Sequence, residues 1–394
     1  MSPAKRFSVV VIGASHAGLG LSHKLLRLAP NVAITLISPS DEYFFNIAAP
    51  RFLVKPDALP TSRYLYNIHE TFSGYPSGAF AFVKGLATSI DPSDKSVAVR
   101  TGAIDSTKLE MTTVPFDYLV IASGSTTPAT LGLGSLKLPL KVTAFEDTRK
   151  AISEAQKKLQ AANHIVIGGA GPLGVELAGE LAEASGSNKT ITLVSRTDVV
   201  LPGATVKVQK EAESLLKLKG VQILKDVAVD RVEQRSGLIS NDWTVTLSTG
   251  KTIAADEYIS TTGVAPNNAF IPLEFLNDDG WVNVDEHLRV VQGAESRTDI
   301  FAIGDINHHP DRLLSRVSVQ AATAAFNITA SIENRSQRKA YSAEAQAKMM
   351  VVPVGQSTGV GHVGGWTLWG FLVWFFKGRD FLTYKAPKFL IGKE

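Results

Sequence analysis

Runs of consecutive β-branched and aliphatic residues alternate along the chain with amphipathic stretches, and this alternation predicts repeated strand–helix–strand units. Phe7 to Ile12 reads as a buried parallel strand, Ala17 to Leu28 as a helix with apolar spacing, and Ala33 to Ile37 as a second strand. The same order returns at His164 to Ile167, Leu173 to Ala184 and Ile191 to Val194, so the two units look like an internal duplication. Between them, Asp41 to Pro60 carries aromatic and proline-rich loop material, and Tyr64 to Phe72 reads as a short amphipathic helix. Phe80 to Ala87 and Ser96 to Arg100 alternate like antiparallel strands, Phe116 to Ile121 is another buried strand, and a helical pattern runs from about Phe145 to Leu159. Further on, Trp243 to Leu247, Glu257 to Ser260 and Ile300 to Ile303 read as strands, and Ser318 to Glu333 as a long helix.

Each unit turns from strand to helix through glycines: Gly13-Ala14-Ser15-His16-Ala17-Gly18 in the first and Gly169-Ala170-Gly171-Pro172-Leu173-Gly174 in the second. Such a turn needs glycine first for the tight bend, a small residue in the middle for close approach of a pyrophosphate, and glycine last for helix packing. Phosphate then rests on unpaired N–H groups at the helix start, where the dipole favours negative charge. The second turn matches the full spacing, while Ser15 replaces the middle glycine of the first. The acid that often ends the following strand and binds a ribose is also missing from the first unit. Ser38 stands there, so that contact is either weaker or supplied from elsewhere, by Asp41 or Glu42. In the second unit the place holds Ser195-Arg196; the arginine is either a partner for a 2′-phosphate, which makes NADPH slightly preferred without excluding NADH, or a solvated surface charge. Glu176, two residues past the second turn, is expected on the first turn of its helix beside the nicotinamide, where it either pairs with the dipole or orients the nicotinamide ring.

Composition narrows the chemistry. At 394 residues the chain exceeds what one core usually serves, and 44% hydrophobic with 20% charged residues describes a globular protein of two or three domains. Forty basic against 37 acidic side chains is a near balance with no lysine-rich run, which argues against nucleic acid as a partner. The absence of cysteine removes disulfides, thiolate metal sites and any redox-active cysteine pair, so electrons leaving the chain go straight to an outside acceptor. Lys5 and Arg6 ahead of an apolar run resemble a signal peptide, but the run leads into the first glycine turn and reads as a strand. Residue 2 is Ser, so the myristoylation pattern is absent, and no apolar stretch reaches the roughly 20 residues that span a bilayer. The expected location is cytoplasmic, with peripheral contact to a membrane surface as the alternative. That alternative comes from Trp366 to Phe376, apolar nearly all round and followed by Lys377, Arg379, Lys385 and Lys388. This segment either packs as a helix on the first nucleotide domain or presents aromatics to a lipid interface or a lipophilic substrate. His16 is expected to cap or pack near the pyrophosphate. Adjacent His308 and His309 lack metal-ligand spacing and a third ligand, so no metal is expected.

Both turns, Ala122-Ser123-Gly124, Thr262-Gly263 and Gly304-Asp305, in this order, make the chain resemble the two-dinucleotide-domain flavoproteins, the superfamily of glutathione reductase and type II NADH dehydrogenase. Asn46 to Arg51, Gly174-Val175-Glu176 and the tail from Gly359 to Asp380 bring it nearest the apoptosis-inducing-factor-like branch that includes the ferroptosis suppressor. The resemblance implies an α/β fold of two Rossmann-like domains, an FAD domain (1–143 and 265–340) with an inserted NAD(P)H domain (144–264), and a small C-terminal α+β region (341–394). It implies FAD at the first turn, where Ala122 to Gly124 line the cofactor, Asp305 after Gly304 holds its ribitol and pyrophosphate region, Ala87 offers backbone groups to adenine and Arg51 stands near the flavin. NAD(P)H belongs at the second turn with Thr262 and Gly263. Ser38 in place of the ribose acid and Ser123 in place of the usual threonine depart from the pattern. The activity implied is hydride transfer from NAD(P)H to FAD and on to a quinone. The alternatives are a dedicated small-molecule oxidoreductase of a biosynthetic pathway and a redox-sensing effector.

Overall fold

A computed structural model describes residues 6–102, 110–141, 147–236, 241–310, 312–343 and 349–393. The start of the helix expected near Phe145 lies outside them, as does Lys5. The chain begins β1 (Phe7–Ile12), α1 (His16–Leu28), β2 (Val32–Ser38), α2 (Ala49–Val54), β3 (Phe80–Asp91), β4 (Ser96–Thr101), β5 (Glu110–Pro115) and β6 (Tyr118–Ile121). A second series follows: α3 (Thr148–Ala161), β7 (His164–Gly168), α4 (Pro172–Ser185), β8 (Thr190–Val194), α5 (Val206–Leu218), β9 (Gln222–Leu224), β10 (Val229–Ser236), β11 (Asn241–Leu247), β12 (Thr252–Ala255) and β13 (Glu257–Ser260). The chain then returns through β14 (Arg289–Gln292), β15 (Glu295–Ala302) and α6 (Leu314–Ile332), and closes with β16 (Met349–Pro353), β17 (Gly359–Val363), β18 (Trp366–Leu368) and a short helix, Gly370–Val373.

Two parallel-centred sheets result. The larger has the order β14-β15-β6-β1-β2-β3-β4-β5, with β1 parallel to β2 (Val9 opposite Ile34) and to β6 (Val9 opposite Tyr118). Val9, Val10 and Val11 are fully buried because both faces of this central strand are covered, which explains the unbroken apolar run. On one face α6 runs along α1, so close that a Cβ on Gly20 would touch Ala321 at 3.9 Å. β3 serves twice: its first half pairs parallel with β2, and its second half leaves the sheet to pair antiparallel with β4. Residues between β6 and β15 form their own parallel sheet, β9-β8-β7-β13, with an antiparallel meander β10-β11-β12 beside it.

Phe80 to Lys84, expected to be antiparallel, instead pairs parallel because β2 offers its free edge, and two further expectations change. Of Tyr64 to Phe72 only Ile68–Phe72 is helical, because Leu65–Asn67 pairs antiparallel with Glu42–Phe44. The aromatic tail is no single helix. Trp366–Leu368 joins a three-stranded sheet, and a π-helical turn, Trp374–Gly378, follows the short helix. Val373 is buried whereas Trp366 is 82% and Trp369 75% exposed.

Candidate functional site

Both glycine turns lie at the carboxyl ends of central strands, the position where open α/β sheets bind ligands. At the first, Gly13 has φ +109°, and a Cβ on it would stand 2.3 Å from the Ala122 carbonyl oxygen; a Cβ on Gly18 would stand 1.9 Å from the Gly13 oxygen. The strand end, the bend and the helix start are therefore in backbone contact, which only glycine allows. Ser15 occupies the N-cap at φ −114°, ψ −160°, is exposed, and makes no capping bond to the helix; the first turn of α1 carries no acid. The helix start thus keeps donors and positive potential for an anion. Ala14 is part-buried and Ala17 buried, and the Gly304 turn closes on this helix so tightly that its Cβ would meet Ala17 at 3.0 Å.

Asp305 of that turn accepts from Ser125 Oγ at 2.9 Å and from Lys141 Nζ at 2.8 Å. Burial pushes its carboxyl up, but Lys141, Ser125 and Arg312 outweigh burial and hold it below the usual range. Ser123 and Gly124 are clamped by Asn267: Ser123 Oγ donates to the Asn267 oxygen at 2.9 Å, Asn267 Nδ2 donates to the Ser123 oxygen at 2.8 Å, and the Asn267 amide to Gly124 at 3.1 Å. Neither Lys141 nor Asn267 stood out in the sequence, since a lone lysine and a lone asparagine in loops carry no pattern.

At the second turn Gly169 has φ +114° and a Cβ would stand 2.7 Å from both Thr261 Oγ1 and Thr262 Cγ2, while one on Gly174 would stand 1.9 Å from the Gly169 oxygen. Thr261, missed in the sequence beside Thr262-Gly263, donates to Gly168 and Gly169 carbonyls at 3.1 and 2.9 Å and so ties β13 to the bend. Gly171 differs from its neighbours, because a Cβ there would meet nothing within 4 Å. Pro172 opens α4 and Leu173 is part-buried. Ser195 is buried with its hydroxyl on the Val199 oxygen at 2.7 Å, and Arg196 is exposed. Gly263 has φ +73° in open space.

Glu176 sits in the second turn of α4, since no acid lies in the first. Its partner is consequently not the helix dipole but Lys377, whose Nζ donates to Oε1 at 2.6 Å across 201 residues of chain. Burial pushes the Glu176 carboxyl up, Lys377 draws it back, and neighbouring Glu180 adds to the rise. Glu180 holds Arg51 in a two-pronged bond, Nε at 2.7 Å and Nη2 at 2.8 Å, both side chains fully buried. Lys55 reaches Glu180 at 3.0 Å and Glu183 at 2.5 Å, and Lys219 reaches Glu183 at 2.8 Å. Three carboxylates on α4, spaced by four and three residues, thus face cations from other parts of the chain.

The remaining expected residues lie as follows. His16 hydrogen-bonds Tyr43 at 2.6 Å and Asn46 at 3.2 Å, with Phe45 and Phe389 edge-on to its ring. Ser38 is buried at the end of β2, while Asp41 pairs with Lys84 at 3.0 Å and Glu42 with Arg149 at 2.5 Å at the surface. Ala87 lies opposite Val99 in the antiparallel part of β3. Among the described residues no three metal-ligating side chains cluster. A cavity of about 530 Å³, lined by Phe7, Lys95, Asp117, Tyr118, Arg335 and Arg338, opens at the opposite end of β1 and contains none of these residues.

The fold and the paired turns define an α/β oxidoreductase with two dinucleotide sites. Residues 7–329 match the pyridine nucleotide-disulphide oxidoreductase family, and the chain belongs to it. An oxidoreductase, ptaL, of Pestalotiopsis fici is 35% identical over 373 residues, covering 93% of this chain and 94% of the relative. Human ferroptosis suppressor protein 1 is 26% identical over 390 residues, covering 96% and 95%. The sulfide:quinone oxidoreductase structure from Aquifex aeolicus superposes with a TM-score of 0.75 at 19% identity, covering 98% of this chain and 92% of that one. Members of the family bind FAD and NAD(P)H, and the residues present fit both: uncapped helix starts at Ser15 and Gly171, and open space where a Cβ would stand on Gly124, Gly171 and Gly263.

Proposed function

We propose that the chain takes electrons from NAD(P)H through FAD and gives them to a quinone or a similar lipophilic acceptor, with no protein thiol between. FAD, when bound, supplies the two-electron carrier. The chain's own part is binding, orientation and proton placement. The α1 and α4 starts receive the two pyrophosphates, the Gly13 and Gly169 bends bring backbone against them, and Asp305, held charged by Lys141, accepts from hydroxyls of the first cofactor. Lys377 Nζ donates to Glu176 Oε1 at a part-buried position, and this pair delivers a proton to the reduced acceptor.

One observation carries the acceptor class. Lys377, which closes on Glu176, directly follows Trp374, Phe375 and Phe376, partly exposed aromatics continuous in sequence with Trp366, Trp369 and Phe371. A single segment therefore joins an apolar surface to the part-buried pair, and the same surface, flanked by Arg379, Lys385 and Lys388, suits contact with an anionic lipid layer. Exposed Arg196 favours NADPH through its 2′-phosphate. The test is anaerobic reduction of the purified holoprotein by NADH and by NADPH, followed by reoxidation with a soluble quinone, dioxygen or ferricyanide. Fast reoxidation by quinone supports the reading, and indifference to quinone rejects it.

A further inference from the structure

Arg51 is 1% exposed, and its guanidinium joins three segments far apart in sequence. Two of its nitrogens grip the Glu180 carboxylate of α4. Nη2 also donates to the Gly378 oxygen at 2.8 Å, and Nη1 to the Arg379 oxygen at 3.4 Å. These are the carbonyls of the two residues that follow Lys377.

The backbone they hold is unusual. Trp374–Gly378 is a π-helical turn, closed by the Arg379 amide on the Trp374 oxygen at 2.9 Å. Phe381 and Leu382 then adopt φ +53° and +65°, a left-handed pair with no glycine. Such conformations persist only where surrounding contacts determine them, and they gather at functional sites. The Phe381 ring lies 4.9 Å from the Arg51 guanidinium and 5.7 Å from Lys377 Nζ, so it fills the space between the two cations. Glu176 and Glu180 are one turn apart on a single helix, which fixes the separation of their partners.

We propose that Arg51 is a positioning residue: by holding the Gly378 and Arg379 carbonyls from a guanidinium anchored on Glu180, it sets the Lys377 ammonium against Glu176. The catalytic consequence rests on the reading above, in which the Glu176–Lys377 pair delivers a proton to the reduced acceptor. Lysine cannot substitute, since a compact ammonium lacks the planar fork that grips a carboxylate and two carbonyls together.

The test uses FAD-loaded protein with Arg51→Lys and, should that variant fold poorly, Arg51→Met combined with Glu180→Gln, which removes both buried charges at once. Competitive acetylation read by mass spectrometry compares Lys377 with exposed Lys207. Labelling of Lys377 is expected to rise at least about fivefold while Lys207 is unchanged, as an ion pair loses its fixed geometry. Single-turnover reoxidation of the reduced holoprotein by a soluble quinone is expected to slow on the order of tenfold in Arg51→Lys, yet by less than about twofold when Lys377→Met is already present, because residues acting through one another are non-additive. Unchanged Lys377 labelling in both variants, or rate losses that multiply independently, overturns the proposal. If Lys377→Met alone leaves reoxidation by quinone unaffected, the functional reading of the pair fails, and the labelling comparison still decides whether Arg51 positions the lysine.

Discussion

Replacing Gly171 with alanine separates a glycine kept for folding from one kept for a ligand. Its backbone, φ −74° and ψ −176°, is open to any residue, and the added methyl would meet no protein atom within 4 Å. Folding should therefore be unharmed or gain about 0.4–1 kcal/mol from the stiffer unfolded chain. A pyrophosphate resting on the α4 start would be pushed off by that methyl. Loss of one hydrogen bond to a charged phosphate, roughly 1.5–3 kcal/mol, corresponds to a 10- to 100-fold weaker NAD(P)H affinity. Gly174→Ala is the contrast: its methyl would fall 1.9 Å from the Gly169 oxygen, so the helix must move and stability should drop by about 1–3 kcal/mol. Thermal melts and coenzyme titration of the two variants, with FAD content monitored, read both effects. A Gly171→Ala protein that binds coenzyme normally, or one that unfolds, would refute the assignment of this turn as a ligand cradle.

Arg196→Ala should weaken NADPH about 10- to 100-fold and leave NADH within about twofold, as expected for loss of one charge-assisted contact; equal effects on both coenzymes would remove Arg196 from the site. His23 is buried, stacked on Phe72 at 4.0 Å and bonded to Tyr75 and Thr71, and burial, with Arg27 and Lys393, lowers its pKa from 6.5 to about 4. The unfolded chain takes up the proton first, so the contribution of neutral His23 is complete above pH 6.5 and lost as pH falls toward about 4, up to roughly 3 kcal/mol. Denaturant melts of wild type and His23→Gln across that window check it, and parallel curves would contradict it. Trp366→Ser with Trp369→Ser should leave quinone-free flavin reduction intact and reduce co-sedimentation with vesicles containing anionic phospholipid, measured beside neutral vesicles. Equal retention of both proteins would exclude this face from lipid contact.

Local patterns made the first sheet legible. The valines of β1, the glycines that bend after it and the apolar repeat of α1 are consecutive in sequence, and the predicted ends of β1, β2 and α1 fall within a residue of the observed ones. α5 went unseen because its buried side Val208, Ala212 and Leu216 is narrow and its charged residues dominate the window. Leu65–Asn67 took strand form against helical spacing because a partner strand some twenty residues earlier supplied hydrogen bonds that a local pattern does not record. The cofactor turns were readable as motifs. The ion pairs were not, because Arg51 and Glu180 lie 129 residues apart and Glu176 and Lys377 lie 201 apart, and only the fold puts them together. Lys377 had drawn notice only as one of the cations flanking the aromatic run.

The three carboxylates of α4 also bear on how coenzyme enters. Glu176, Glu180 and Glu183 lash the helix to Lys377, to Arg51 and Lys55, and to Lys219. Swinging the second sheet away from the first would strip the innermost of these from their partners in a poorly solvated place, at a cost of several kcal/mol. The two sheets should therefore keep their relative setting, and the arrival of coenzyme should be a single concentration-dependent step with no preceding clamshell motion to wait for.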